Sequence, residues 1–348
     1  MIAYKEALQR LLDSSDLSHA EMLGVMRQVM GGQLTTAQIA GFLIALRLKG
    51  ETVDEIAAAA EVMRGLASHV NVEDREHLID TCGTGGDGTQ TFNVSTASAF
   101  VAAAAGVRVA KHGGRSVSSA CGSADVLEAL GVNVDLAPEQ VAQCVNDIGI
   151  GFMFAPNHHS AMRFAAPVRR ELGVRTLFNL LGPLTNPAGA KRQIMGVFDR
   201  KLTLVLAQTL QQLGSEHVMV VHGADGMDEI SFSGHTYVAE LKGGNISEYL
   251  LNPAHFGLPL HDMRTIQVEN AEQASDMLDA VLAGKLIPAR DIVLLNAGAA
   301  IYVSGLAASM QQGMERAKTM IDSGAAQTKL EQLVALSQKL TAEKLTAE

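Results

Sequence analysis

The sequence predicts an α/β protein in two parts: a small N-terminal helical domain over residues 1–70, and a larger domain over 71–348 whose mostly parallel central sheet is flanked by helices. Three observations carry that expectation. Up to about residue 68 the chain shows only helical periodicity, opened by repeated capping signals. From about residue 77 short apolar runs alternate with helix-like stretches, a pattern that specifies a parallel sheet covered on both faces. At 348 residues the chain also exceeds what one small core organises.

Ser18-His19-Ala20-Glu21 has the form of a capping box, in which Ser and Glu side chains satisfy orphan N–H groups at a helix start. The helix it opens, about 19–30, stops at Gly31-Gly32. Thr35 or Thr36 opens another, with Ile39, Leu43 and Leu46 at helical spacing and an end at Gly50. Thr52-Val53-Asp54-Glu55 repeats the box before IAAAAEVMRGLA. Four short helices with tight connections make a bundle whose surplus apolar surface suits an oligomer interface. Strands are expected in HLIDTC, VRVAKHG, IGFMFAP, QIMGVF and HVMVVHG, with helix-like ASAFVAAAAG, SADVLEALG and LTLVLAQTLQQLG between or after them. TYVAEL-KGGN-ISEYLL reads as an antiparallel hairpin. The remainder is helical, and the terminal LTAEKLTAE reads as a frayed helix end.

Lys and Arg number 27 against 37 Asp and Glu, a net charge of −10, with no Trp and 4 Tyr. That balance argues against nucleic-acid binding, which needs a basic face and stacking aromatics. No uncharged apolar run reaches the ~18 residues of a membrane span, and the charged start MIAYKEALQRLLDSSD is unlike a signal peptide. Cys82, Cys121 and Cys144 lack CxxC spacing and suit a reducing compartment. An acidic cytoplasmic enzyme that binds neither membrane nor nucleic acid is expected.

Asp80-Thr81-Cys82-Gly83-Thr84-Gly85-Gly86-Asp87-Gly88 follows the first strand and contains a literal GxGxxG. Its context is wrong for a dinucleotide site, since the second strand ends in Lys111 rather than an acid. Four glycines in six residues still let backbone N–H groups approach a phosphate. Asn93-Val94-Ser95-Thr96 then offers two hydroxyls and helix N-terminal N–H groups, an anion site, although Ser95 or Thr96 also reads as a plain N-cap. Residues 107–119 hold three cations and no acid, which suggests a polyanionic ligand, and Gly122-Ser123 opens a further helix. Between Asn157 and Val197 stand six cations and one acid. If 160–171 is a helix, Arg169 shares a face with Met162, and an Arg in a cleft forks a carboxylate. Asp228-Glu229, after the strand HVMVVHG and the turn Ala224-Asp225-Gly226, suit Mg²⁺. His158-His159 and Cys82 have no third ligand or base spaced to make a metal or nucleophile site.

Taken in order, GTGGDG, NVST, KHGGRSVSS, GSADVLEALG, VRRELGVRTLFNLLGPLTNP and HGADGMDEIS resemble the anthranilate phosphoribosyltransferase family, over essentially the whole chain. The resemblance implies a helical domain beside an α/β domain, with a stretch near 160–185 joining the former, and a homodimer through the helical domain. It implies that Gly83, Gly86, Asp87, Thr91, Asn93, Val94, Ser95 and Thr96 hold phosphoribosyl diphosphate. Lys111, His112, Gly113, Gly114, Arg115, Ser116, Val117, Ser118, Ser119 and Ser123 complete that site. Ser95, Asp228 and Glu229 resemble Mg²⁺ ligands, Arg169 the residue that holds the anthranilate carboxylate, and Gly83 and Gly114 its neighbours. The family typically reads KHGNR, so Gly114 replaces an Asn that contacts anthranilate.

The expected reaction is transfer of 5-phosphoribose from its 1-diphosphate to the amino group of anthranilate, with Lys111 and Arg169 as the catalytic cations. An aromatic amine is neutral at pH 7, so no strong base is required, and His112 either takes a later proton or packs the loop. A pyrimidine-nucleoside-phosphorylase-like enzyme, which shares Lys-x-x-Gly-Arg, and a non-catalytic phosphate- or nucleic-acid-binding relative are the alternatives.

Overall fold

The computed structural model describes residues 2–115 and 121–347, so Ser116, Val117, Ser118 and Ser119 lie outside the described residues. Helices α1 (Tyr4–Leu12), α2 (His19–Met30), α3 (Thr36–Lys49) and α4 (Val53–Leu66) form the N-terminal bundle. Three of them start on complete capping boxes, Ser18 with Glu21, Thr35 with Gln38 and Thr52 with Glu55, each fixing a helix start locally.

The sheet has seven strands: β1 (Leu78–Asp80), β2 (Arg108–Gly113), β3 (Ile150–Phe154), β4 (Arg192–Gly196), β5 (His217–Gly223), β6 (Thr236–Lys242) and β7 (Asn245–Leu251). Their order is β3-β2-β1-β4-β5-β6-β7. The first five are parallel, and the β6–β7 hairpin adds antiparallel to β5. The direction in which successive strands are added reverses at β1, whose neighbours are β2 and β4. Such a switch point leaves a crevice beyond the carboxyl ends of the strands, where ligands of open α/β sheets bind. The loops after β1 and β2 and the end of β4 all meet there.

One apolar core lies under the helices Val94–Ala104 and Pro288–Ser304. The other fills the bundle and continues without a break onto the opposite sheet face, through Met195, Leu206, Val218 and Val220. Ala165, Val168, Leu177 and Phe178 belong to this second core, so the segment after β3 packs between bundle and sheet.

Residues 160–171 are not one helix. A 3-10 turn, Ser160–Phe164, is followed by a separate helix, Ala166–Leu172, with Pro167 in its first turn. Proline lacks the N–H that a continuous helix needs and is tolerated in a first turn. Met162 and Arg169 therefore do not share a helix face.

Candidate active site

A cleft of about 360 Å³ opens at the switch point, and nearly all the motifs reach it. It is lined by Gly83, Gly86, Asp87, Thr91, Asn93, Val94, Ser95, Lys111, His112, Gly113, Gly114, Arg115, Ser123, Arg169, Asp228 and Glu229. Thr96 is not among them: it is buried behind the cleft with its hydroxyl unpartnered.

The acidic end is held by close backbone contact. A Cβ on Gly196, at the end of β4, would stand 1.4 Å from the Asp228 carbonyl oxygen, and one on Gly83 would stand 2.8 Å from Asp228 Oδ2. Only glycine at both positions lets the Asp228 turn sit against β1 and β4. Asp228 Oδ2 then accepts from Gly85 N–H at 2.8 Å, and Glu229 Oε1 from Ser95 N–H at 3.0 Å. Burial is the main cause raising both carboxyls: Asp228 well above the ordinary range, with Asp87 and Glu229 adding to the rise, and Glu229 to about 7, opposed by Lys111. Two half-buried carboxylates beside the Ser95 hydroxyl form an all-oxygen set.

The Ser95 contact corrects one expectation. The first-turn N–H groups of the helix Val94–Ala104 are not open to phosphate, since Val94 N–H donates to Phe92 O, Ser95 N–H to Glu229, and Thr96 N–H to Asn93 O. Ser95 and Thr96 are also not N-caps; Asn93 holds that position without a side-chain cap bond. Open amides instead lie on the glycine loop. Among the described residues, the N–H groups of Gly86, Asp87 and Gly88 donate to no protein acceptor.

The three cations of 107–119 also separate. Arg108 pairs with Asp74 at the far end of β2, and Arg115 is bonded to Asp125 and Glu128, so its charge is neutralised inside the protein. Lys111 alone carries its charge into the cleft floor without a salt bridge among the described residues. It is buried, and Nζ donates to Thr81 O, Thr81 Oγ1 and Ser95 Oγ at 3.1, 3.3 and 3.2 Å. Asp80, which no motif marked, anchors the floor. Its carboxylate accepts from His112 N–H and Asn186 Nδ2, and burial raises its pKa to about 6 against the pull of Asn186 and Lys111.

In the same cleft, Arg169 is half-buried over the Phe178 ring, 5.7 Å from its centroid, with no acidic partner among the described residues. Burial lowers its pKa, the signature of a desolvated cation without a counter-ion. Phe178, Asn179, Gly182 and Pro183 line the same cleft. Sequence reasoning missed them as site residues, because an apolar FNLLGPL stretch reads as core.

Cys82 is no nucleophile: burial pushes its thiol well above the ordinary range. His112, His158 and His159 are buried together. Desolvation lowers all three, His112 to about 3 and His159 to about 4. His112 Nδ1 lies 3.1 Å from Gly182 O, a contact only a protonated Nδ1 can make, so its tautomer is fixed and the ring neutral at pH 7. Folded pKa values below the unfolded value of ~6.5 mean that the unfolded chain binds more protons, and stability falls as pH drops from ~6.5 towards 4. The raised Asp80 and Glu229 act in the opposite sense, so the histidine contribution is read as a difference between proteins. Between pH 6 and 5, His159→Gln should lose about 1 kcal/mol less stability than the wild type in urea titrations; equal losses would contradict the buried, neutral assignment.

A helical bundle joined to an α/β domain is the pair of domains of one glycosyl transferase family. The helical-bundle model of that family matches residues 5–67, and its a/b-domain model residues 75–327. The anthranilate phosphoribosyltransferase of Methylobacillus flagellatus is 70% identical over 334 residues, 96% of this chain and 98% of that protein. The crystal structure of anthranilate phosphoribosyltransferase from Thermus thermophilus superposes with a TM-score of 0.90 at 42% identity, covering 95% of this chain and 99% of that one. The Saccharomyces cerevisiae enzyme in complex with PRPP and Mg gives 0.88 at 28% identity, covering 97% and 98%. The chain belongs to the anthranilate phosphoribosyltransferase family.

Proposed function

We propose that this protein transfers 5-phosphoribose from 5-phosphoribosyl 1-diphosphate to the amino nitrogen of anthranilate, a step of tryptophan biosynthesis. The observation that carries the reading is the set of groups that one cleft brings together. Open glycine-loop amides, Lys111, the Asp228–Glu229 pair, and Arg169 beside Phe178 with no acidic partner among the described residues all line it. The C1–O bond to diphosphate breaks, the C1–N bond forms, and the amine releases a proton. Loop amides and Lys111 stabilise charge on the departing diphosphate, and Arg169 holds the carboxylate so that the amine faces C1. The neutral, buried His112 orients the cleft wall and donates to Gly182 rather than serving as a charged acid.

Half-buried, raised carboxylates with a neighbouring hydroxyl fit a hard divalent cation, and the yeast relative is solved with Mg. Asp228, Glu229 and Ser95 would hold Mg²⁺, which supplies charge neutralisation to the diphosphate. Among the described residues no three His, Cys, Asp or Glu side chains form a metal cage, which suits an ion that takes its remaining ligands from substrate oxygens and water. The reading includes a homodimer through the helical domain, where Leu12 and Leu48 are 63% and 82% exposed, and a cytoplasmic location that suits three free cysteines. No helix among the described residues is long and apolar enough to cross a membrane.

Anthranilate is fluorescent, so its loss is followed directly. Decay that requires both phosphoribosyl diphosphate and Mg²⁺ supports the transferase; phosphorolysis of nucleosides without anthranilate turnover would replace it. Among the described residues nothing lies within 4 Å of a Cβ built on Gly114, so a side chain can start there without a clash. Gly114→Asn should lower KM for anthranilate, and Arg169→Ala should raise it about tenfold or more by removing a charged hydrogen-bond donor. A change confined to the KM for phosphoribosyl diphosphate would contradict both assignments.

A further inference from the structure

We propose that Arg175 is a positioning residue, holding the Gly86–Asp87 peptide so that the Asp87 N–H faces the diphosphate; the inference rests on the transferase reading above. The start of the glycine loop is fixed from the sheet, with Thr84 N–H on Gly196 O at 2.9 Å and Gly85 N–H on Asp228 at 2.8 Å. Beyond Gly85 only the Asp87 side chain is tied, accepting from Asp228 N–H at 3.3 Å and from Thr89 N–H at 3.1 Å, and neither bond holds the Gly86–Asp87 peptide itself. Gly85 and Gly86 have φ of +63° and +76°, and glycine passes between such states and their mirror images at little cost. The next peptide is therefore free to turn over unless something holds it.

Arg175 supplies the hold. Its Nη2 donates to the Gly86 carbonyl. Arg175 is exposed and is not one of the cleft-lining residues, so the carbonyl is drawn away from the cleft. A trans peptide is planar and sets its C=O and N–H on opposite sides. The Asp87 N–H consequently points into the space that Gly86 and Asp87 line, where it has no acceptor among the described residues.

The guanidinium is itself held. It lies over the Phe198 ring, 4.1 Å from the centroid, and Phe198 N–H donates to Thr84 Oγ1 in the same loop at 3.2 Å. From the other side, Arg47 in the last turn of α3 donates to the Arg175 carbonyl. A continuous chain of contacts thus runs from the helical bundle, through Arg47 and Arg175, to one phosphate-facing amide. The charge of Arg175 touches no reacting atom in this arrangement.

Steady-state kinetics with both substrates, beside thermal melting, tests the proposal on Arg175→Ala, Arg175→Gln and Arg175→Lys in the full chain. Loss of the hydrogen bond in Arg175→Ala should raise KM for phosphoribosyl diphosphate about tenfold, with KM for anthranilate and the melting temperature unchanged. Arg175→Gln, which keeps a donor without the charge, should recover part of that loss. The proposal is overturned if Arg175→Ala binds phosphoribosyl diphosphate normally, or if both KM values rise together with a lower melting temperature. It is equally overturned if Arg175→Lys is normal while Arg175→Gln matches Arg175→Ala, since long-range charge would then be the cause. A wild-type protein inactive on both substrates would instead remove the transferase reading and this inference with it.

Discussion

Replacing Asp228 with Asn should make the protein more stable and nearly inactive. The Asp228 carboxylate is half-buried and faces Asp87 and Glu229, three acidic groups with Lys111 beside Glu229. Its folded pKa is raised, so the charged form costs stability at neutral pH, and the cost disappears as pH falls through that pKa. Asn removes the cost while its amide oxygen still accepts from Gly85 N–H. The melting temperature in metal-free buffer should rise by about 2 °C for each kcal/mol relieved. Activity moves the other way. Mg²⁺ keeps one or two carboxylate ligands, and losing one should raise the Mg²⁺ concentration for half-maximal rate by about tenfold or more, with kcat down by ~10²-fold. A variant both less stable and fully active would show the pair to be structural. Functional groups are often kept at some loss of stability, and the opposite signs are the diagnostic.

Lys111→Met should lower kcat/KM for phosphoribosyl diphosphate by ~10²–10³-fold, the usual effect of deleting one preorganised electrostatic group. Lys111 is the one cation in the cleft floor unpaired among the described residues. It also holds the Thr81 carbonyl and the Ser95 hydroxyl in place. Met fills the volume, so a large loss reports charge and hydrogen bonding rather than a cavity. Lys111→Arg should not rescue it, because a planar five-donor fork does not fit a site built for a compact ammonium. A loss below tenfold would mean that the amides and the metal site do the work alone.

The alternation of apolar runs with helical stretches, and the capping boxes at Ser18 and Thr52, made the architecture readable, since these are local signals that the fold did not override. Lys111, Asp228 and the glycine loop were readable because each sits at a strand's carboxyl end. What was hidden depended on partners far along the chain. Arg115 looked like an anion receptor until Asp125 and Glu128 turned towards it from the next helix. The Ser95 amide looked vacant because its acceptor, Glu229, lies 134 residues away. The face shared by Met162 and Arg169 held only if 160–171 were one helix, and Pro167 sits in the first turn of a new one. Arg175 stood among six cations with nothing local to single it out.

A crystal structure of the protein with phosphoribosyl diphosphate and Mg²⁺ tests the convergence of these segments most directly. The diphosphate should lie against the N–H groups of Gly86, Asp87 and Gly88 within reach of Lys111, with the metal on Asp228 and Glu229 and the ribose C1 facing Arg169. Diphosphate bound away from the β1–β4 crevice, or metal bound without either acidic side chain, would contradict the account.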